Sequence, residues 1–259
     1  MLDKLRPVSG EHSIFRSIAS VFIPQQFLRP EDIFEKTKQI ESFENYPKKS
    51  LAKATTININ NNSLGISNEQ VNGFLFENYD QKGSIKNIFK LENKENRAIL
   101  SLETRKYSEW KIFKDQWISD LDSFSKKNDF YLDAISLNYR DEFIWSGTES
   151  IPVKEIFDID SELLNEKFLN SRNGPLVLIS QVDTGGLKNE EKTEVSFNND
   201  IKRITIDHQF AIRFNSFQLF EKLKESDKLG QLFDIAHKEN KNILKNVLAK
   251  EVQDLIKLN

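Results

Sequence analysis

The sequence predicts an α+β fold in which an antiparallel β-sheet is covered by amphipathic helices. Many segments alternate apolar and polar residues, as strands with one buried face do. The turns between these segments are too short to contain crossover helices, which predicts antiparallel pairing. A third observation is a segment that carries aromatic residues at helical spacing.

The length and composition are those of a globular chain with a large core. The chain has 259 residues, of which 38% are hydrophobic and 30% charged. A chain of this size buries about 70–75% of its extended surface on folding, so neither a metal nor a disulfide is needed for stability. Its 20 phenylalanine residues predict a core dominated by aromatic packing.

The elements follow from these patterns in chain order. The predicted strands comprise residues 15–23, 55–60, 71–79, 84–91, 98–102, 131–145, 176–182, 193–197 and 202–214. The predicted helices comprise residues 30–41, a segment that follows an N-cap at Ser108, a segment capped near Asp160 or Ser161, and residues 215–226 and 227–258.

Two elements have the clearest patterns. The helix after Ser108 buries Trp110, Phe113, Trp117, Leu121 and Phe124 on one face. The strand at 131–145 alternates so that one face carries Tyr131, Ile135, Leu137, Tyr139, Phe143 and Trp145, and the other Ser136, Asn138, Arg140 and Glu142. A strand of that length is expected to contain a bend or a bulge.

Ser146-Gly147-Thr148 is the predicted internal boundary. It separates an N-terminal α+β lobe, residues 1–148, from a C-terminal α+β lobe, residues 149–259, that ends in a long helix. The two lobes are predicted to be similar to each other, with one continuous domain as the alternative.

Composition excludes several classes of chemistry. The chain has no cysteine, which excludes disulfides, zinc–thiolate sites, iron–sulfur clusters and thiol nucleophiles. The first residues lack the apolar core of a signal peptide, and no segment approaches the ~20 apolar residues of a membrane span. We therefore expect a cytoplasmic protein with no membrane association and no cofactor.

One segment is a candidate for nucleic-acid binding. Residues 82–111 contain eight Lys or Arg against four Glu, in a chain whose net charge is −3. Lys82, Lys86 and Lys90 are the candidates for contacts with phosphates. The alternative interpretation is a strand whose lysines are solvated.

The chain contains three histidines, His12, His208 and His237. His208 lies on the apolar face of its strand, and Asp207 points to the opposite face, so Asp207 is not expected to orient it. Packing inside the core is therefore the favoured interpretation of His208. A helical metal site at His237 would require a ligand three or four residues later, where Asn240 and Lys241 stand. No metal site is predicted.

No motif of a known active site is present, and no catalytic residue is predicted outright. The leading hypothesis is a non-enzymatic binding protein that acts through protein partners or by self-association. A stripe on the last helix, formed by Leu232, Ala236, Ile243 and Val247, is either core or a dimer surface.

The alternative hypothesis is a metal-dependent nuclease or other phosphodiester enzyme. Its candidate residues are Asp141, Glu142, Asp207, His208 and His237.

The order of several segments resembles a sporadically distributed bacterial protein family of similar size to which no function is assigned. The resemblance rests on Trp110-x2-Phe113, the strand from Ile135 to Asp141, the strand from Ile204 to His208, and the helical segments from Leu232 to His237 and from Leu248 to Glu251. It covers most of the chain and implies no activity. The scattered distribution of that family implies an accessory or defence-related role.

Overall fold

The computed structural model describes residues 2–54, 57–60, 63–66, 70–184 and 187–258. The strands are β1 Leu5–Pro7, β2 Ile14–Ile23, β3 Lys48–Ala54, β4 Ile57–Asn60, β5 Ser63–Ile66, β6 Gln70–Tyr79, β7 Ile85–Lys94, β8 Arg97–Thr104, β9 Tyr131–Trp145, β10 Gly174–Thr184, β11 Leu187–Asn198 and β12 Arg203–Leu219. The α-helices are α1 Pro30–Thr37, α2 Trp110–Ser125, α3 Val153–Ile156, α4 Glu166–Leu169, α5 Phe220–Glu225, α6 Lys228–Val247 and α7 Lys250–Leu255.

Ten of these strands form one large sheet. Its order is β10-β11-β12-β9-β2-β8-β7-β6-β3, and β1 pairs with the far end of β9. Every pairing is antiparallel. The prediction of an α+β fold built on an antiparallel sheet is confirmed.

Strand β9 lies near the middle of the sheet and joins its two halves. It pairs with β12 on one side and with β2 on the other. Elements from both sides of residue 148 therefore share one sheet. The division of the chain into two similar lobes stays a prediction.

The larger hydrophobic core lies between the sheet and helices α1, α2, α5 and α6. Phe43, Phe89 and Trp117 are completely buried there, and the Phe43 and Phe89 rings approach to 4.7 Å. Phenylalanine side chains therefore pack against one another in the core, as the composition predicts. The stripe on α6 is buried at all four of its positions, so it is core and not a dimer surface.

A second core cluster lies under α3, α4, α7 and the end of α6. It contains Phe143 and Trp145 from β9, and Val195, Ile204 and Ile206 from β11 and β12. The same strands therefore cross from one cluster to the other along their length.

The alternation predicted for β9 holds from Ile135 onwards but fails at its start. Tyr131 is 52% exposed and Leu132 is completely buried, so the core face changes there. The cause is an irregularity in the pairing, because four residues of β12 lie between the partners of Ala134 and Leu132. The extra residues belong to β12, so the bend or bulge expected of β9 itself stays a prediction.

Several helix boundaries differ from the prediction. Helix α1 ends at Thr37 and is followed by a short 3₁₀ turn, Glu41–Asn45. Ser108 does not cap α2, because the residue before the helix is Glu109, in an extended conformation. Among the residues that the structure describes, no helix is capped at Asp160 or Ser161. The single turn α4 begins at Glu166, and its N-cap is Asn165, whose side chain accepts from the Phe168 amide at 2.8 Å.

The C-terminal helices also differ from the prediction. Strand β12 continues to Leu219, so the helix expected from residue 215 begins only at Phe220. The helix expected over 227–258 is interrupted at Leu248, which is extended and forms a β-bridge with Phe157. Tertiary pairing therefore overrides helical propensity at this position.

The strand expected over 55–60 is only partly described. Residues Ile57–Asn60 form β4, which pairs with β5 apart from the large sheet, and residues 55 and 56 lie outside the described residues. Among the helices of the described residues, none combines the length and apolar character that crossing a bilayer requires.

A buried polar pair connects α2 to the segment before β3. The Tyr46 hydroxyl donates to Asp120 Oδ2 at 2.7 Å, and Gln116 Nε2 donates to Asp120 Oδ1 at 2.8 Å. Asp120 is 1% exposed, and burial raises the pKa of its carboxyl from 3.8 to about 6. At neutral pH Asp120 is therefore ionised, and the burial of this charge lowers the stability of the folded state.

This pair predicts a pH dependence for Asp120→Asn. Between pH 3.8 and about 6 the folded wild type binds a proton that the unfolded chain does not, so its stability falls as the pH rises. The variant lacks this loss because asparagine does not ionise, and Gln116 can turn its amide so that its oxygen accepts from the new amide group. We expect the stability of the variant relative to wild type to rise by about 3 kcal/mol from pH 3.5 to pH 7. Urea denaturation measures this difference, and parallel curves would contradict it.

Candidate functional site

The three histidines of the chain meet at one cavity between the sheet and α6. The cavity has a volume of about 180 Å³. Its lining comprises His12, Ser13, Ile14, Tyr139, Asp141, His208, His237, Lys241, Leu244, Ile256, Lys257 and Leu258. Because these residues come from five separate segments, the cavity is a product of the tertiary fold.

Strand and helix periodicity aim these side chains at the cavity. Tyr139 and Asp141 are two residues apart on β9 and share a face, and His208 of β12 is the register partner of Tyr139. On α6, His237, Lys241 and Leu244 follow the i, i+4, i+7 spacing of one helical face.

The end of α7 forms another wall. The amide of Leu258 bonds to the Gln253 carbonyl at 2.9 Å and that of Lys257 to the Asp254 carbonyl at 3.2 Å, the pattern of a Schellman cap. Lys257 takes the left-handed conformation that this cap requires, with φ of 54°. The cap therefore turns Lys257 and Leu258 onto the cavity.

A fully buried hydrogen-bond network lies at the base of the cavity. His208 Nε2 is 2.8 Å from Asp141 Oδ2, and Ser13 Oγ donates to Asp141 Oδ1 at 2.5 Å. On the other side of the ring, His208 Nδ1 is 3.0 Å from Asn240 Oδ1. None of these four residues is more than 2% exposed.

The orientation of Asn240 determines where the protons of this network are. Its Nδ2 donates to the carbonyls of Leu137 at 2.8 Å and Ala236 at 3.0 Å, so its Oδ1 must accept from His208. The second ring nitrogen of His208 faces an acceptor oxygen of Asp141 as well. Both ring nitrogens of His208 are therefore occupied by hydrogen bonds inside this network, and neither is free to act as a base toward a molecule in the cavity.

His237 is held on the opposite wall by aromatic partners. The Trp110 ring stacks on it at a centroid distance of 4.6 Å, and the Tyr139 hydroxyl is 2.9 Å from its Nδ1. Burial, together with the positive charge of Lys241, lowers the pKa of His237 to about 4. His237 is therefore neutral at pH 7, and one of its two ring nitrogens carries a proton.

A salt bridge fixes the ring that stacks on His237. Trp110 Nε1 donates to Asp234 Oδ1 at 2.7 Å, and Lys114 Nζ lies 2.8 Å from both oxygens of the same carboxylate. Since Asp234 is on α6 and both donors are on α2, this bridge links the two helices beside the cavity.

His12 has one unpaired ring nitrogen. Its Nε2 donates to the Tyr107 carbonyl at 2.9 Å, which leaves Nδ1 as an acceptor. Nδ1 is buried and makes no hydrogen bond. Because a buried polar atom without a partner is costly, this nitrogen is a position where a bound molecule could donate a hydrogen bond.

The residues predicted from the sequence do not all lie at this cavity. Asp141, His208 and His237 do. Asp207 is on the other face of the sheet, where it pairs with Arg140 Nε at 2.5 Å and with Arg16 at 3.9 Å. Glu142 is buried at a separate position and forms an ion pair with Arg203 at 3.3 Å.

The three candidate lysines for nucleic-acid binding do not line this cavity. Lys82 is in the turn before β7, where Asp80 Oδ1 accepts from its amide at 2.9 Å. Lys86 is exposed on β7, and Lys90 of the same strand pairs with Glu92 at 2.5 Å. Phe89 faces the core, as the alternation predicts. Phosphate contact by these lysines stays a prediction.

Sequence reasoning missed Ser13, Asn240, Tyr139, Lys241 and the grouping of the histidines. One signal was present: alternation puts Asp141 on the apolar face of β9, where a charged residue requires a buried partner. His208 on the apolar face of β12 is the matching signal. The sheet topology places β12 beside β9, and the sequence of neither strand predicts this adjacency.

No family model matches the chain, and no curated protein or solved structure matches it. The resemblance to the sporadically distributed bacterial family stays a prediction. Within the described ranges, no group of three or more histidine, aspartate or glutamate side chains is arranged to hold a metal ion.

The network predicts different effects for two substitutions of Asp141. Asp141→Ala leaves His208 buried with an unpaired nitrogen and should lower the free energy of unfolding by about 3 kcal/mol or more. Asp141→Asn should cost less than half as much, because its amide can donate to Nε2 of a neutral imidazole. Urea denaturation measures both values. Equal losses would show that the hydrogen bonds to His208 do not matter for stability.

Proposed function

We propose that this chain is a non-enzymatic binding protein, and that the cavity lined by the three histidines binds a small anionic ligand. The observation that carries the proposal is the charge of the lining. Lys241 and Lys257 contribute positive charges, and His237 contributes a neutral imidazole. Asp141, the acid in the lining, is 0% exposed and both of its oxygens accept hydrogen bonds.

The size and walls of the cavity narrow the ligand class. A cavity of about 180 Å³ accommodates a molecule with few non-hydrogen atoms. Ile14, Leu244, Ile256 and Leu258 make part of its wall apolar. These features favour a carboxylate or a phosphate monoester with a short apolar group.

The hydrogen-bond network favours recognition over turnover. In a serine hydrolase the hydroxyl donates to an imidazole, which takes its proton. Here the Ser13 hydroxyl donates to Asp141, and His208 has both nitrogens in hydrogen bonds. Ser13 therefore has no imidazole beside it to take its proton, and the three residues support the wall of the cavity.

The proposal includes action through a protein partner or by self-association, as the sequence predicts. In this proposal, a second protein, or a second copy of this chain, recognises the form of the chain that has the small ligand bound. The scattered distribution of the resembling family supports an accessory or defence-related setting for such a component.

Calorimetric titration of the full chain tests the proposal. We expect inorganic phosphate and butyrate to bind at low ionic strength, and butyramide, the uncharged analogue of butyrate, not to bind. Lys257→Gln should weaken anion binding by about five- to tenfold, because it removes one charge beside the ligand. In histidine NMR spectra, the anion should raise the pKa of His237 above its value of about 4, since an adjacent negative charge favours the protonated ring.

The matched control is Lys238→Gln, an exposed lysine on α6 that does not line the cavity. It should leave affinity unchanged. Equal binding of butyrate and butyramide, an equal effect of the two lysine variants, or no binding of either anion at millimolar concentration would contradict the proposal.

An enzyme is the second candidate, favoured by the unpaired Nδ1 of His12. An imidazole with a free lone pair in a cavity can act as a general base. Its partner as a general acid would be His237, which the lowered pKa leaves unprotonated at pH 7. A metal-dependent enzyme would find one of the predicted carboxylates at this cavity, that of Asp141. Asp207 and Glu142 lie elsewhere.

Incubation with RNA, DNA and bis(4-nitrophenyl) phosphate separates these candidates. The binding proposal expects no turnover with Mg²⁺ or with EDTA. Cleavage in EDTA that is lost in His12→Ala would instead support acid–base catalysis. Cleavage that requires Mg²⁺ and is lost in Asp141→Asn would support the metal-dependent nuclease.

A further inference from the structure

The two edges of the large sheet differ in how they are protected. At one edge, β3 carries Lys48, Lys49 and Lys53 among its seven residues. Lysines on an edge strand oppose pairing with another strand. At the other edge, the segment of β10 from Gly174 to Val182 contains no charged residue.

Three large apolar side chains of β10 are exposed. Val177 is 48% exposed, Ile179 is 65% exposed and Val182 is 50% exposed. Within the described part of the chain, the backbone hydrogen bonds of β10 go to β11 alone. The outward amide and carbonyl groups of this eleven-residue strand are therefore available to a further strand.

The sequence of β10 is complementary to itself. When two copies pair antiparallel about a twofold axis at Ile179, Leu176 lies opposite Val182 and Leu178 opposite Ser180. Asp183, the charged residue of β10, lies opposite Pro175, so no like charges face each other. In this register, odd-numbered residues pair with odd-numbered residues and even with even. The same face of the sheet therefore points the same way in both copies, and their helical layers lie on one side of a continuous sheet.

We propose that β10 is a homodimer interface, in which the edge strands of two copies pair antiparallel about Ile179. An antiparallel pair of nine residues exchanges about nine backbone hydrogen bonds. The exposed Ile179 side chains of the two copies meet at the centre. This inference is independent of the ligand proposed for the cavity, since the two rest on different residues.

Light scattering of the full chain at 1–100 µM tests the interface. We expect a mass twice that of the 30.2 kDa monomer. Ile179→Lys and Ile179→Glu should each be monomeric, because the twofold axis puts two like charges opposite each other. An equimolar mixture of the two variants should recover the dimer, since lysine and glutamate then face each other.

The control is Ile235→Lys, which makes the same change at a 47% exposed isoleucine on α6 and should remain dimeric. Circular dichroism should show unchanged folding in every variant, because both side chains are exposed. A monomeric wild type at 100 µM, a dimer that persists in Ile179→Lys, or no recovery on mixing would overturn the proposal. Growth beyond two copies would overturn it as well, because it would indicate pairing of β10 with β3.

Discussion

The requirement that a buried charge be paired organises the centre of this protein. His208 and Asp141 lie on adjacent strands and are almost completely buried. Neither could stay there alone, because a buried polar atom or charge without a partner costs free energy. The partners that satisfy them, Ser13 and Asn240, come from the start of β2 and from α6. One network therefore determines how the N-terminal segment, the sheet and the last long helix lie relative to one another.

The same network explains why a cavity exists at this place. Asn240 of α6 donates to the Leu137 carbonyl of β9, and Asp234 of α6 is bridged to Lys114 of α2, so these contacts set the position of α6 over the sheet. The space left between α6 and the sheet is lined by imidazoles and by the lysines of α6 and of the α7 cap. The anionic ligand that we propose follows from that lining, and the interior network supports the lining.

The fold was predictable where one face of an element is buried. The alternation of β7 and β9 identifies Phe89, Leu137 and Phe143 as core residues, and all three are completely buried. Prediction failed where tertiary contacts decide the conformation. Leu248 leaves the helix to pair with Phe157, and β12 runs past its bulge to Leu219, although local propensity favours a helix in both places.

By itself, the sequence determined the α+β class, the antiparallel connections and most of the core, because these depend on periodicity and on short turns. Only the tertiary structure decided that β9 and β12 are neighbours, that His12, His208 and His237 face one cavity, and that β10 lies at an edge. The reason is that these features depend on contacts between residues far apart in the chain. His208 and Asp141 are 67 positions apart, and no local pattern reports on such a pair.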